Sequence, residues 1–183
     1  ASNFAAWQVE KALGIAALHD WASFAVLQPM YNLVKRQAEV EILPMAQAEN
    51  LAVTPYSPLG AGLLTGKYGV DKHPDSGRLV DSDMYQIRYG KDWVYRVAED
   101  FTQFAQEHGY NPVSLAVAWV AAHPAVTAPI IGARNVDQLE GSLGALDIDM
   151  TPELRAEIAS LSPEPPPATD RTAALVQVGH GLI

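Results

Sequence analysis

The chain has 183 residues, 49% hydrophobic and 18% charged, enough apolar material for one core and too little charge density for broad disorder. A formal net charge of −9 sets the surface against phosphate backbones, so nucleic acid is not an expected partner, although a local cationic pocket overrides that sign for a small cofactor. With no cysteine there are no disulfides, thiolate nucleophiles or cysteine-held zinc; this fits a reducing, cytoplasmic setting, and no apolar run reaches the roughly 18 residues of a membrane span, so no membrane partner is expected.

Ser2-Asn3, ahead of Phe4–Leu13, carries a helix N-cap signal. Phe24–Leu27 has the length of a buried strand, and Pro29 stops it near Gln28. Residues 39–50 read as a helix with Pro44 in its first turn, and Leu51–Tyr56 as a second short strand. The stretch TPYSPLGAGLLTGKY follows at 54–68. Residues 69–90, rich in Gly, Asp and Ser, read as a long loop. Trp93, Val94, Val97, Phe101 and Phe104 recur at threes and fours and predict an amphipathic helix over 91–108. Asn111-Pro112 caps a helix at 113–122 that is apolar nearly all round. Val126–Ile131 reads as a third strand despite Pro129. Gly132–Asn135 turns into a helix over 136–145, and Thr151-Pro152 opens a last helix ending near Leu161. Residues 1–162 form the folded unit, and the proline-rich 163–183 forms a tail.

Strands alternating with helices predict a parallel sheet, in which ligands gather at the carboxyl ends of the strands. Ser2-Asn3, Gln28, Tyr56 with its glycine loop, and Gly132–Arg134 all stand at such ends. In the 54–68 stretch, glycines let backbone approach a ligand, exposed N–H groups and Lys67 suit an anion, and Tyr56 suits a flat ring. A nucleotide site and a tight turn both account for this composition.

SNF at 2–4, QPMYN at 28–32, YSPLGAGLLTGKY at 56–68 and IIGARNVDQL at 130–139 resemble the aldo-keto reductase superfamily in order and approximate spacing. The resemblance implies an α/β fold, a (β/α)8 TIM barrel of which this chain supplies roughly the end of strand 5 to strand 8. It also implies reduction of aldehydes or ketones with NADPH, a small carbonyl compound being the substrate. Ser2, Asn3 and Gln28 then correspond to the groups that bond the nicotinamide carboxamide, the alternatives being N-capping and a polar strand end. Tyr56 corresponds to the aromatic stacked on the nicotinamide, or else to a boundary aromatic. Ser57, Leu59 through its backbone N–H, Gly62 and Lys67 correspond to the pyrophosphate loop. Arg78 corresponds to a clasp at the adenosine end, or to a solvated surface arginine. Gly132, Ala133 and Arg134 stand at a helix N-terminus, with Arg134 facing a ribose 2′-phosphate and Gln138 the adenine. Gly141-Ser142 departs from the Glu-Asn that members often carry there.

The family's catalytic tetrad of Asp, Tyr, Lys and His belongs to the first half of the barrel, ahead of residue 1. None of the seven tyrosines here sits in the matching motif. Two expectations follow: part of a longer reductase chain, or a half barrel completed by a partner or a second copy. A non-catalytic nucleotide-binding module, similar to the potassium-channel beta proteins, is the alternative to an enzyme. No GxSxG, Walker loop or HExxH occurs, the five histidines are scattered, and Asp147-Ile148-Asp149 reads as a solvated turn.

Overall fold

A computed structural model describes residues 1–169. Its organising element is a parallel ladder. Strand β1 (Val26–Leu27) pairs with β2 (Ala52–Val53), Val26 opposite Ala52 and Leu27 opposite Val53. Single parallel bridges extend the ladder: Ser2 to Gln28, Met30 to Tyr56, and Tyr56 to Ile130. Four segments, near residues 2, 26–30, 52–56 and 130, thus lie side by side in chain order.

The regular strands are only two residues long for a chemical reason. Pro29, Pro55 and Pro129 lack an N–H and cannot donate to a neighbour. The carbonyls of Pro29 and Pro55 still accept, from Tyr56 N–H at 3.0 Å and Ile130 N–H at 2.8 Å. The expected strand at 126–131 is therefore an extended segment held by one bridge, by Thr127 N–H on the Val53 carbonyl at 2.8 Å, and by Val53 N–H on Thr127 Oγ1 at 3.0 Å.

Helix α1 (Ala6–Leu18) connects the first two segments and α2 (Ile42–Ala48) the next two. Ser2-Asn3 does not cap α1. The cap position is Ala5, whose N–H donates to Gln8 Oε1 at 2.9 Å, while Asn3 is turned aside at φ 60°. Residues 69–90 are not a loop throughout: α3 (Arg78–Asp81) and α4 (Asp83–Tyr89) form within them, burying Leu79 and Tyr89. Asp81 accepts from Gly77 N–H at 2.9 Å, so an acid that reads as loop composition closes a helical turn instead.

Helix α5 (Asp92–Glu107) buries Val94, Val97, Phe101 and Phe104, as the spacing predicts, while Trp93 stays partly exposed. Helix α6 (Pro112–Ala121) is buried over Ser114–Val120; Asn111 Oδ1 accepts from Val113 and Ser114 N–H. Helix α7 (Val136–Leu143) passes into a short 3-10 turn at Gly144–Asp147, and α8 (Pro152–Ser160) is capped by Thr151. Residues 163–169, the first part of the proline-rich tail, form no helix or strand, and residues 170–183 of that expected segment lie outside the described residues. No described helix is long and apolar enough to cross a membrane.

Side chains alternate along a strand, so the register divides the ladder into two faces. Leu27 and Val53 are 3% and 0% exposed and meet the helices; Val26 and Ile130, of the other parity, are 42% and 41% exposed.

A partly buried polar network around the buried Tyr31 ties α8 to the turn after β1. Tyr31 Oη donates to Glu39 at 2.6 Å and accepts from Arg155 at 2.8 Å. Arg36 pairs with Glu39 and donates to the Ala159 carbonyl at 3.0 Å. Burial alone would raise the Glu39 carboxyl, but hydrogen bonds from Arg36 and Tyr31 and the nearby positive charges outweigh it and hold it below its ordinary value. The ring of His123 stands edge-on to Tyr31, centroids 5.5 Å apart, and its Nδ1 accepts from Ala125 N–H at 3.1 Å. Burial first, then the Arg155 charge, lowers its pKa from 6.5 to about 4, with Glu39 opposing. A folded pKa below the unfolded one means that the unfolded chain takes the proton first. Stability contributed by neutral His123 is therefore lost as pH falls from 6.5 toward about 4. His123→Phe is expected to flatten the pH dependence of the urea midpoint across that window, whatever its effect at pH 7. Parallel curves for the two proteins would show that His123 is solvated.

Candidate functional site

The bridge partners Ser2 and Gln28, and Tyr56 in register with Met30 two residues beyond Gln28, share the parity of the face the helices do not cover. At the carboxyl ends of their segments they form one hydrogen-bonded cluster. Ser2 Oγ donates to the Gln28 carbonyl at 3.0 Å and lies 3.5 Å from Gln28 Oε1. Asn3 Nδ2 donates to Ser2 Oγ at 3.2 Å, and Asn3 Oδ1 accepts from Tyr56 Oη at 2.7 Å, across 53 residues of chain. The positive φ of Asn3 turns its amide toward Tyr56 rather than into a helix cap. Ser2, Asn3 and Gln28 are exposed and Tyr56 half-buried, so a ligand can reach the cluster.

The loop after Tyr56 adopts an unusual backbone. Ser57, Gly60, Ala61 and Gly62 all have positive φ, at 58°, 57°, 60° and 102°. Two of these are not glycine, a conformation that costs on the order of 1–3 kcal/mol each and is found where surrounding structure enforces it. Gly60 N–H closes onto the Ser57 carbonyl at 3.0 Å, Gly62 N–H onto Leu59 at 3.0 Å, and Thr65 Oγ1 donates to the Gly62 carbonyl at 2.7 Å. Ser57, Leu59 and Gly62 thus belong to one folded loop beside Tyr56, and Lys67 follows it, exposed.

At the fourth segment the chain passes from Ile130, bridged to Tyr56, through Gly132, Ala133 and Arg134 into α7. Asn135 Oδ1 accepts from Gln138 N–H at 3.0 Å, and Gln138 Oε1 accepts from Arg134 N–H at 3.0 Å. Gln138 therefore folds back on the Arg134 backbone, and the guanidinium of Arg134 is left exposed. Arg78 starts α3, also exposed, with its guanidinium over the Tyr85 ring at 5.7 Å.

Two buried polar residues received no role from their sequence context. Asn32 and Tyr89 are both 0% exposed. Asn32 lies inside QPMYN, just past the expected strand end at Gln28; an asparagine preceding Leu33-Val34 is the only local hint that it is buried. Among the described residues no group of three or more His, Cys, Asp or Glu is placed to hold a metal.

Residues 1–163 match the aldo/keto reductase family. The chain belongs to this family. It is 33% identical over 168 residues to the uncharacterized oxidoreductase YrpG of Bacillus subtilis (strain 168), covering 90% of this chain and 48% of that protein. It is 32% identical to a probable voltage-gated potassium channel subunit beta of Oryza sativa subsp. japonica, covering 92% and 53%. It is 28% identical to the putative aryl-alcohol dehydrogenase AAD10 of Saccharomyces cerevisiae, covering 88% and 56%. The chain thus spans about half the length of the curated relatives it matches. Family membership implies a (β/α)8 barrel, and the described residues are helix-rich with few strands.

The family generally uses a nicotinamide dinucleotide, and the donor set suits one. A carboxamide presents one acceptor and two donors; a serine hydroxyl and two side-chain amides supply both kinds of partner. The positive-φ loop carries main-chain N–H groups next to an aromatic, and Arg134 stands at a helix N-terminus. Gly60 tests the loop geometry directly. A Cβ there would sit 3.1 Å from Val34 Cγ2 in a left-handed conformation. Gly60→Ala is expected to lose about 1–2 kcal/mol of unfolding free energy in urea titration; unchanged stability would mean that the loop takes another shape.

Proposed function

We propose that the chain provides the cofactor half of an NADPH-dependent oxidoreductase that reduces aldehydes or ketones, its four ladder segments being the end of strand 5 through strand 8 of the barrel. The observation that carries this is the Ser2–Asn3–Gln28–Tyr56 cluster, assembled from three separate segments on one accessible face. When bound, the cofactor supplies the hydride. Ser2, Asn3 and Gln28 hold the carboxamide. Tyr56, its ring oriented by the bond to Asn3 Oδ1, sets the face presented to the substrate. Ser57, Leu59, Gly62 and Lys67 hold the pyrophosphate. Arg134, with Gly132 and Ala133, selects the 2′-phosphate, Gln138 and Arg78 serving the adenosine end.

Three buried tyrosines are poor proton donors. Burial raises Tyr31, Tyr68 and Tyr89, the last to about 12, the opposite of what an acid working near neutrality needs. The donor is therefore sought outside Tyr31, Tyr68 and Tyr89. A second reading, a nucleotide-binding module without chemistry, is favoured by the likeness to the rice channel subunit beta. Oxidation of NADPH on addition of an aromatic aldehyde separates the two; NADPH binding without turnover favours the second.

Arg134→Glu is expected to weaken NADPH by about ten- to a hundredfold, the range of a lost charge-assisted bond, and NADH far less. Equal losses would remove the 2′-phosphate role. Tyr56→Ala is expected to weaken NADPH while leaving ADP-ribose affinity nearly unchanged in a fluorescence titration; a large loss for both would make Tyr56 a packing residue.

A further inference from the structure

The strained loop has one internal clamp, and it comes from a different strand end. Asn32 Nδ2 donates to the Ser57 carbonyl at 2.9 Å and to Tyr89 Oη at 3.2 Å, while its Oδ1 accepts from Val34 N–H at 3.1 Å. The amide orientation is not ambiguous: a backbone carbonyl faces one end and a backbone N–H the other. Ser57 is the first positive-φ residue of the loop, and its carbonyl also accepts the Gly60 N–H that closes the first turn. Asn32 Oδ1 would lie 3.6 Å from a Cβ on Gly60, so the side chain also packs against the loop backbone. Tyr89 completes the clamp. It arrives on α4, 57 residues away, and its hydroxyl donates to Met30 Sδ at 3.3 Å; Lys35 Nζ lies 5.5 Å from its ring centroid. Burial keeps that hydroxyl protonated, so it accepts from Asn32 while donating to Met30.

We propose that Asn32 is a positioning residue for the cofactor, holding Ser57–Gly62 in its left-handed shape so that the Ser57 side chain and the Leu59 N–H keep their place at the pyrophosphate while Gly60 and Gly62 bond within the loop, and that Tyr89 locks Asn32 in place. The proposal rests on the reading of 57–67 as the pyrophosphate loop. It assigns a function to the 69–90 segment: α4 delivers the lock.

The test uses the 183-residue chain, with hydrogen exchange on the ligand-free protein and titration with NADPH and 2′-phospho-ADP-ribose. Asn32→Ala is expected to speed exchange of the Gly60 and Gly62 amides by about tenfold, leaving α5 and α6 unchanged. It should weaken NADPH and 2′-phospho-ADP-ribose by the same factor, again about tenfold, because the loop serves their shared pyrophosphate. Tyr89→Phe keeps the buried ring and removes only the hydroxyl, so it stays interpretable where Asn32→Ala does not fold. It is expected to give the same pattern at about two- to threefold. Exchange accelerated equally throughout would make Asn32 a general stabilising group and overturn the proposal. Wild-type affinity in both variants would overturn it while the cofactor reading stands; failure of the wild-type chain to bind NADPH would sink that reading and the positioning role with it.

Discussion

Parallel pairing fixes which side chains share a face, and here that constraint underlies everything at the strand ends. Once Val26 opposes Ala52, the two-residue period sends Gln28, Met30 and Tyr56 to the side opposite Leu27 and Val53. A slip of one residue would bury Gln28 and Tyr56 under the helices and expose Leu27 and Val53. Two apolar side chains at 3% and 0% exposure oppose that slip, at roughly 1.5–3 kcal/mol for each large aliphatic group lost to water. Hydrophobic burial on one face thus sets the position of polar groups on the other. The exposed serine, asparagine and glutamine bond one another and Tyr56 on a face that a ligand can reach.

The loop after Tyr56 inverts this logic. Its backbone is unfavourable in isolation, since Ser57 and Ala61 stand where only glycine is comfortable. It holds because its carbonyls are satisfied: Ser57 by Gly60 and Asn32, Leu59 by Gly62 and Leu64, Gly62 by Thr65. Gly60, Gly62 and Leu64 spend their N–H groups on these bonds, so an anion there would meet the Ser57 side chain, the Leu59 N–H and Lys67. A net charge of −9 does not oppose this, because a protein's field is screened beyond about 10 Å at 0.1 M salt. Local donors decide there, and Arg134 and Lys67 are both exposed.

Much of this was legible in the residues. Asn111-Pro112 and Thr151-Pro152 mark their helices because cap chemistry is local, and the α5 stripe is legible because burial follows the helical period. The family resemblance lies in turn motifs, which the structure places at adjacent strand ends. The misses have physical causes. Ser2-Asn3 carries cap chemistry, but its amide is committed to Tyr56, a bond 53 residues long that no local pattern encodes. The 126–131 run is apolar enough for a strand, yet proline removes a donor its ladder needed. In 69–90 Asp81, part of the composition that suggests a loop, closes a helical turn, and the buried anchor Tyr89 has its partner at Asn32.

The turn after β1 then carries two loads at once. Tyr31 and Asn32 are adjacent and both fully buried, and they reach to different parts of the molecule. Tyr31 bonds Glu39 and Arg155, joining the turn to α8; Asn32 bonds Ser57 and Tyr89, joining it to the strained loop and α4. Buried ionic networks add little net stability compared with apolar packing, because desolvation offsets the attraction. Removing one member is nevertheless costly, since its partner is left charged and unpaired. Such a network is therefore better at fixing a geometry than at strengthening a fold. A single peptide link joins Tyr31 to Asn32, so the contacts to α8 and those to the 57–62 loop meet in one short turn.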